Sequence, residues 1–476
     1  MTHVEGDELK TGTYARPRAV VVGGQASSRT GTNSAPGKVI RVLREAEETE
    51  EARVALRTPH AVGAPSDALG RVGSTAQGAT LAVPSESAAA GLKAIAQEVG
   101  LERAQFVAWR DLDDPEAGGS ELHAHRIATQ WAAAGIDVTV RTSSVVGQAE
   151  LLERDGYTAV RRGGRYRVFP MVAREGFTMS ARRGEGLVEI WNGMPFFSPL
   201  WYRGPRLVFL HHVHAEMWGM VLPAWMARLG ESIERSVAPL LYRKSTIVTL
   251  SESSRTEIVS LLGLDAERIK VVPPGVEERF AQFPPAEDAK SEAPLVVAVG
   301  RLVPVKRFDF LIEALAQARK WIPSLEAVII GEGFERPRLE ELRRRLGAES
   351  WIQMPGRLSD SEVISWYHRA WVVAATSLRE GWGMTLSEAA ACGTPAVATR
   401  IAGHADAVVD GVTGLLVDHP GEFSAALQTL LTNSLMRERM AVSAADRASS
   451  LTWEATARST LQALAEEMSS SASTRR

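Results

Sequence analysis

Two runs of short apolar segments alternating with amphipathic ones, separated by a single stretch rich in Pro, Ala, Glu and Asp, constrain this chain more than any other feature. The first run opens with an apolar strand at residues 105–109. A helix follows in which Ala124, Ile127, Ala128 and Trp131 keep the i, i+3, i+4, i+7 spacing of one buried face, and Gly135 stops it. Ile136, Val138 and Val140 then alternate as the next strand, and further apolar strands stand at 207–210, 246–250 and 269–272. Residues 281–294 form the linker. The second run starts at 295–299, continues with a helix marked by Phe308, Leu311, Ile312 and Leu315, and returns to a strand at 327–330. Strand and helix alternating twice predict two α/β, Rossmann-like domains, at 103–280 and 295–452, that face a cleft with ligand loops at the carboxyl ends of their strands.

At 476 residues the chain is too long for one ordinary core, which agrees with two domains and an extension. Residues 1–84 mix Gly, Ser, Thr, Ala and Pro with an acidic cluster from Glu45 to Glu51, and read as a largely disordered extension; 19–22 is its one candidate strand, and an Ala-rich helix is expected at 85–99. The 54 basic and 57 acidic residues leave a net charge of −3, so no global field favours nucleic acid as a partner. The single cysteine, Cys392, excludes an intramolecular disulfide and a cysteine-rich zinc site, and agrees with a reducing cytosol. No apolar run has the length of a membrane span and residues 1–10 are polar and acidic, so the expected location is cytoplasmic.

The densest chemistry lies at 379–400. Leu386, Ala389, Ala390 and Gly393 place small and apolar residues on one helix face, Gly381 and Gly383 precede that helix, and Gly393 and Pro395 end it. The amides of Gly383, Met384 and Thr385 would form a seat for an anion such as a phosphate. Glu380 before the helix and Glu388 within it, placed on the side of Thr385 and Cys392, would be repelled by that anion unless they face hydroxyls, so the pattern reads as a seat for a sugar nucleotide. An exposed acidic helix start is the ordinary alternative for Glu388.

The pattern Glu-Gly-x-Gly-x-x-x-x-Glu-Ala-x-Ala-x-Gly-x-Pro-x-Val resembles the Glu-x7-Glu signature of the retaining glycosyltransferases of family 4, which have the GT-B fold. The resemblance spans about residues 103–468. It implies that Gly118, Gly119 and Glu121 match a loop near the donor phosphates and acceptor, and that His211 at a strand end lies near the donor sugar. Arg301 and Lys306 match the family's Gly-Arg-x-x-x-x-Lys element and would neutralise a diphosphate; Gly331-Glu332-Gly333 and Gly356-Arg357-Leu358 match loops bordering the nucleotide, with Arg357 close to the base. Glu380 would hold sugar hydroxyls and Glu388 the ribose. Pro274 stands where the family usually has asparagine, and 453–468 resembles the terminal helix that crosses back to the first domain.

The implied function is a retaining hexosyltransferase that takes a nucleotide-diphosphate sugar as co-substrate and a hydroxyl acceptor (a glycolipid, polysaccharide or small polyol), with no further cofactor and no metal. An epimerase on the same fold or an inactive sugar-nucleotide-binding protein are the rivals. Three stretches carry additional expectations. His211, His212 and His214 lack the further ligand of a metal motif. Arg161, Arg162, Arg165, Arg167, Arg174, Arg182 and Arg183 form a solvated basic face or a surface for anionic lipid or a phosphorylated acceptor, and Met217, Trp218, Met220, Val221, Leu222, Trp225 and Met226 form core or, where exposed, a membrane-docking patch at the inner face of the membrane.

Overall fold

The computed structural model describes residues 84–178, 183–215, 217–282 and 289–474. The extension expected at 1–84, with its candidate strand at 19–22, lies outside them except for its last residue, as do Arg182 and residues 283–288 of the expected linker.

The first domain is built on an eight-stranded sheet in the order β3-β4-β2-β1-β5-β6-β7-β8. Its strands are β1 (Arg103–Val107), β2 (Asp137–Thr142), β3 (Leu151–Arg154), β4 (Tyr157–Arg161), β5 (Glu185–Ile190), β6 (Arg206–Phe209), β7 (Thr246–Thr249) and β8 (Ile269–Val271). All pairings are parallel except β3 with β4. The second domain carries a six-stranded sheet in the order β11-β10-β9-β12-β13-β14, formed by β9 (Leu295–Val299), β10 (Glu326–Ile330), β11 (Ile352–Gly356), β12 (Val372–Ala375), β13 (Ala396–Thr399) and β14 (Gly414–Val417). Its pairings are all parallel. Helices cover both faces of each sheet, which is why β5 is buried at every position and β9 reads as an uninterrupted apolar run.

Each sheet reverses its winding once, between β1 and β5 in the first domain and between β9 and β12 in the second. Loops leaving neighbouring strands at such a reversal diverge to opposite faces and open a crevice at the carboxyl ends. This places the loops after β1, β9 and β12 at the cleft.

The helix expected at 85–99 forms as Glu86–Val99, capped by the Ser85 hydroxyl and ended by Gly100 at φ 66°. The terminal helix runs from Trp453 to Thr474, six residues beyond the expected end. Its Ala457, Leu461 and Leu464 sit in the first domain's core, and the Trp131 indole donates to the carbonyl of Ala457 at 3.0 Å. Gly275 is the tight point of this return: a Cβ there would lie 2.3 Å from the Trp453 amide nitrogen.

Candidate active site

At the β9–β12 crevice, Lys306 ends a 3-10 turn, Pro304–Lys306, and its ammonium pairs with Oε1 of Glu380. Ser377 donates its hydroxyl to the same oxygen at 2.7 Å, and the His404 Nε2 stands 3.9 Å away. The Thr376 hydroxyl reaches the carbonyl oxygens of Lys306 at 2.9 Å and Arg307 at 3.1 Å, stitching the two loops together. Burial pushes the Glu380 carboxyl up, but Lys306 and His404 outweigh it and hold the group well below the ordinary carboxylate range. The crevice thus contains a fixed carboxylate and a fixed ammonium in contact.

Gly383 begins the helix Met384–Ala391 at φ 99°, a left-handed conformation that a side chain would strain; a Cβ there would also come within 2.9 Å of the His404 ring. Trp382 donates its indole N–H to Ser387 at 2.8 Å and ties the loop to the helix. Glu388, half-buried, accepts from the Tyr367 hydroxyl at 3.3 Å, and burial pushes its carboxyl up to about 7. The expectation that Glu388 shares an outward side with Cys392 does not hold for Cys392: it is 3% exposed, and its thiol donates to the Phe280 carbonyl, because the end of this short helix turns into the core.

The Gly118–Gly119 loop closes the opposite wall. The start of the helix Gly119–Ala133 is closed by Glu121, whose Oε2 accepts from the Gly118 amide at 2.9 Å and the Ser120 hydroxyl at 2.8 Å. A Cβ on Gly118 would lie 3.6 Å from the Arg301 guanidinium, and one on Gly119 would lie 3.1 Å from the Met384 sulfur. The structure therefore brings together Gly118, Gly119, Arg301 and the start of the Met384 helix, residues more than 180 positions apart in the chain. Arg301 donates to the Glu116 carbonyl at 3.1 Å and Arg357 to the Pro115 carbonyl at 3.0 Å, so both cross the cleft to one turn of the first domain.

His211 lies beyond the end of β6, 6% exposed, with its Nε2 3.2 Å from Nδ1 of His123. Burial lowers the His211 pKa to about 4 and the His123 pKa well below its ordinary value, so both rings are neutral at pH 7 and one donates to the other. Its backbone faces Gly381 in the loop that carries Glu380. The sequence reading missed His123 and His404. His123 had a weak signal, two residues after Glu121 on the Gly-Gly helix; His404 had none, since it reaches Glu380 only through the fold.

Residues 117–280 match the model of Glycosyltransferase Family 4, and residues 280–447 match that of Glycosyl transferases group 1. A D-inositol 3-phosphate glycosyltransferase of Paenarthrobacter aurescens is 31% identical over 286 residues, covering 57% of this chain and 69% of that protein. The chain belongs to the group 1 glycosyltransferases. A D-inositol 3-phosphate glycosyltransferase of Frankia alni is 28% identical over 402 residues, 75% of this chain and 96% of the relative. That of Kribbella flavida is 35% identical over 226 residues, a match that spans about half, 53%, of its length. Among solved structures, sucrose-phosphate synthase of Thermosynechococcus elongatus aligns with TM-score 0.65 at 20% identity over 76% of this chain and 98% of its own. Anabaena HepE in complex with UDP-glucose aligns with TM-score 0.59 at 20% identity over 76% and 98%. Both likenesses establish the shared GT-B fold.

Two surface expectations for this glycosyltransferase change in the structure. Arg161 is not part of a solvated basic face: it is 2% exposed and its guanidinium bonds Asp111 at 2.8 Å and also Asp113, with Arg154 beside it on the same two carboxylates. Arg162 pairs with Glu150, and Arg165 with Glu116. Trp218 is half-buried, donates to Glu234 at 3.0 Å and packs against Gly193 and Gly230, whereas Trp225 is 52% exposed. Among the described residues no helix is long and apolar enough to cross a membrane, and no group of three or more His, Cys, Asp or Glu could hold a metal ion.

Proposed function

We propose that the enzyme transfers a hexose from a nucleoside diphosphate sugar to a hydroxyl acceptor with retention of anomeric configuration. The observation that carries this reading is the contact between Lys306 and Glu380 at the β9–β12 crevice, beside Arg301 and the Met384 helix start. Loss of a nucleoside diphosphate from the anomeric carbon builds negative charge on the departing phosphate, and preorganised cations and amides aimed at that charge lower the barrier. Arg301, Lys306 and the amides at 383–385 supply them. Glu380, held anionic, accepts from donor-sugar hydroxyls; Glu388 takes the ribose hydroxyls once ionised; neutral His211 contacts the sugar from the first domain; and Arg357 borders the base.

The acceptor oxygen bonds to the anomeric carbon on the face from which the diphosphate leaves, and its proton passes to the departing phosphate oxygen. This family-type course suits a site with no second carboxylate assigned as nucleophile, unlike the paired carboxyls of retaining glycosidases. UDP-glucose, present in the HepE complex, is the first donor to try.

The acceptor side also favours a peripheral membrane contact at the inner face of the membrane. Trp225 and Leu240, 52% and 69% exposed, stand on the segment 224–242 with the exposed Arg228 and Arg235, a mixture of apolar and cationic side chains that suits an anionic bilayer surface.

The decisive experiment is a thermal-shift screen of UDP, GDP and ADP sugars followed by NMR of the product's anomeric proton. A ligand at 100 times its Kd stabilises the fold by about 2.7 kcal/mol, readily seen as a higher Tm. Stabilisation by one nucleotide sugar and a product of unchanged anomeric configuration are expected. An inverted product, or turnover of the donor sugar to an epimer without acceptor, overturns the assignment.

A further inference from the structure

His404 lies in the crevice, yet the donor reading gives it no task. Its ring is fully buried on the four-residue helix His404–Ala407, against the first residue of the anion seat: a Cβ on Gly383 would lie 2.9 Å from its Cδ2 and 3.4 Å from its Nε2. Nδ1 stands 3.0 Å from the Thr399 carbonyl oxygen and 3.4 Å from the Thr399 hydroxyl oxygen. A carbonyl only accepts, and that hydroxyl already donates to the Ser377 carbonyl at 2.8 Å, so Nδ1 carries the hydrogen. Nε2 is therefore the basic nitrogen of the neutral ring. It is buried, has no hydrogen-bond partner among the described residues, and stands 3.9 Å from Oε1 of Glu380, too far for a bond. A bare lone pair thus faces a carboxylate. The helix start cannot retreat, because Gly403, at φ 85°, packs so closely that a Cβ would lie 2.6 Å from the Trp382 amide nitrogen and 2.7 Å from the Glu380 carbonyl oxygen.

A count of charge shows what the free nitrogen is suited to. Without donor, Lys306 balances Glu380. A nucleoside diphosphate sugar brings about one negative charge on each phosphate, and Arg301 answers only one of them. An ammonium drawn toward the diphosphate leaves Oε1 with the Ser377 hydroxyl alone, and the closed crevice is one positive charge short. The other charged groups on the elements around the ring are committed elsewhere. Asp406, on the same helix, accepts from the Ser253 hydroxyl and from the Glu252 amide at 3.1 Å, and its carbonyl accepts from Arg447. On the helix Glu252–Leu262, Arg255 pairs with Glu252 and Glu257 with Arg379. Glu388 of the Met384 helix accepts from Tyr367, and burial holds His212, in the loop after β6, neutral.

We infer that His404 is a positioning residue for Glu380: when the donor diphosphate draws Lys306 off Oε1, the His404 ring takes up a proton from solvent at Nε2 and donates it to that oxygen. Glu380 is then held anionic and in place for the sugar hydroxyls by an imidazolium in place of the ammonium, and donor binding is coupled to proton uptake. The inference rests on the donor reading and deepens it.

The test is calorimetry of UDP-glucose binding at pH 8 in buffers of different ionisation enthalpy, which counts protons whether or not transfer occurs. A free imidazole is neutral at that pH, and Glu388, whose carboxyl titrates at about 7, is already mostly ionised and drops out of the count. The parent is expected to take up about one proton for each UDP-glucose bound. His404→Asn keeps a donor for the Thr399 carbonyl but none for Oε1, and should lose the uptake and weaken UDP-glucose by about tenfold, the scale of one hydrogen bond to a charged group. His404→Gln places a neutral N–H near the position of Nε2 and should restore most of that affinity without restoring the uptake, a split that a merely structural role does not produce. Binding without uptake in the parent, or uptake that persists in both variants, overturns the inference while leaving the donor reading in place. Ring-nitrogen NMR of His404, assigned through contacts to Thr399, keeps the test independent of the substitutions: Nε2 should pass from bare to protonated as UDP-glucose saturates the parent, and an unchanged nitrogen overturns the inference. Failure of UDP-glucose to bind the parent counts instead against that donor, and ligand-free Lys306→Met then decides. With the ammonium gone, Nε2 should already be protonated at pH 8, and a bare nitrogen there overturns the handover whatever the donor.

Discussion

Gly381 and His211 meet across the cleft so closely that a Cβ on Gly381 would lie 2.5 Å from the His211 carbonyl oxygen. Both sides of that contact are held by structure, the oxygen two residues past the end of β6 and the glycine in the loop between Glu380 and Trp382. The Ser254 hydroxyl adds a second tie, donating to the Gly381 carbonyl at 3.3 Å. The two domains therefore touch through bare backbone directly beside the candidate catalytic carboxylate, and any side chain at 381 must push the strand end and the Glu380 loop apart.

Gly381→Ala is accordingly expected to lower turnover by about 10²-fold, the scale of an ångström misplacement of a catalytic group, while each domain keeps its own core. Steady-state kinetics beside circular-dichroism melting checks this. Turnover within a factor of two of the parent would show that the contact yields without moving Glu380.

Lys306→Ala and Arg301→Ala should each reduce kcat by about 10²- to 10³-fold, by analogy with the loss of one oxyanion donor. The two differ in stability. Lys306→Ala leaves the Glu380 carboxylate buried without its cation and should lower Tm, whereas Arg301, exposed at the cleft, should be thermally silent. Near-parent turnover in both would remove the diphosphate assignment.

The Glu388 carboxyl, pushed from 4.5 up to about 7 by burial, makes a pH-dependent prediction. Between those values the folded protein retains a proton that the unfolded chain has released, so this group's contribution to stability is full below about 4.5, falls as pH rises through the window and is flat above 7. Glu388→Gln removes that slope, and its stability relative to the parent should increase from pH 5 to pH 8 in urea melts. UDP affinity of the parent relative to Glu388→Gln should rise through pH 7, as the carboxylate that accepts ribose hydroxyls forms. Parallel curves for parent and variant would contradict both.

Transfer should persist in EDTA. The acidic pair in the loop after β1 is already neutralised, since Arg161 and Arg154 both bond Asp111 and Asp113, and the leaving diphosphate is matched by Arg301, Lys306 and helix amides. Activity abolished by the chelator and restored by a divalent ion would require a different account of the leaving group.

For the membrane contact, Trp225→Ala should weaken sedimentation with anionic vesicles at low salt, since its ring is exposed and Arg228 and Arg235 are near it in the chain. Trp218→Ala should instead lower Tm, because its indole satisfies the buried Glu234. Equal sedimentation with neutral and anionic lipid, or none, returns the Trp225 face to ordinary solvent exposure.

The sequence by itself determined the two parallel sheets, because strands buried on both faces must be apolar throughout and helices between them must keep a 3.6-residue stripe, a pattern legible from β9 through the helix Phe308–Arg319 to β10. It also determined the glycine-fed helix start at Met384, where Gly383 takes φ 99°. What only the tertiary structure decided are the pairings of polar groups. His123 meets His211 over 88 positions, Arg161 leaves an apparent basic face to be buried on Asp111 over 50, and Glu116 draws Arg165 over 49. His404, which ends beside Glu380, carried no local mark at all. Apolar burial is written in spacing along the chain, whereas the burial of a charge or an imidazole depends on a partner that the chain path alone delivers, so no local pattern announces it.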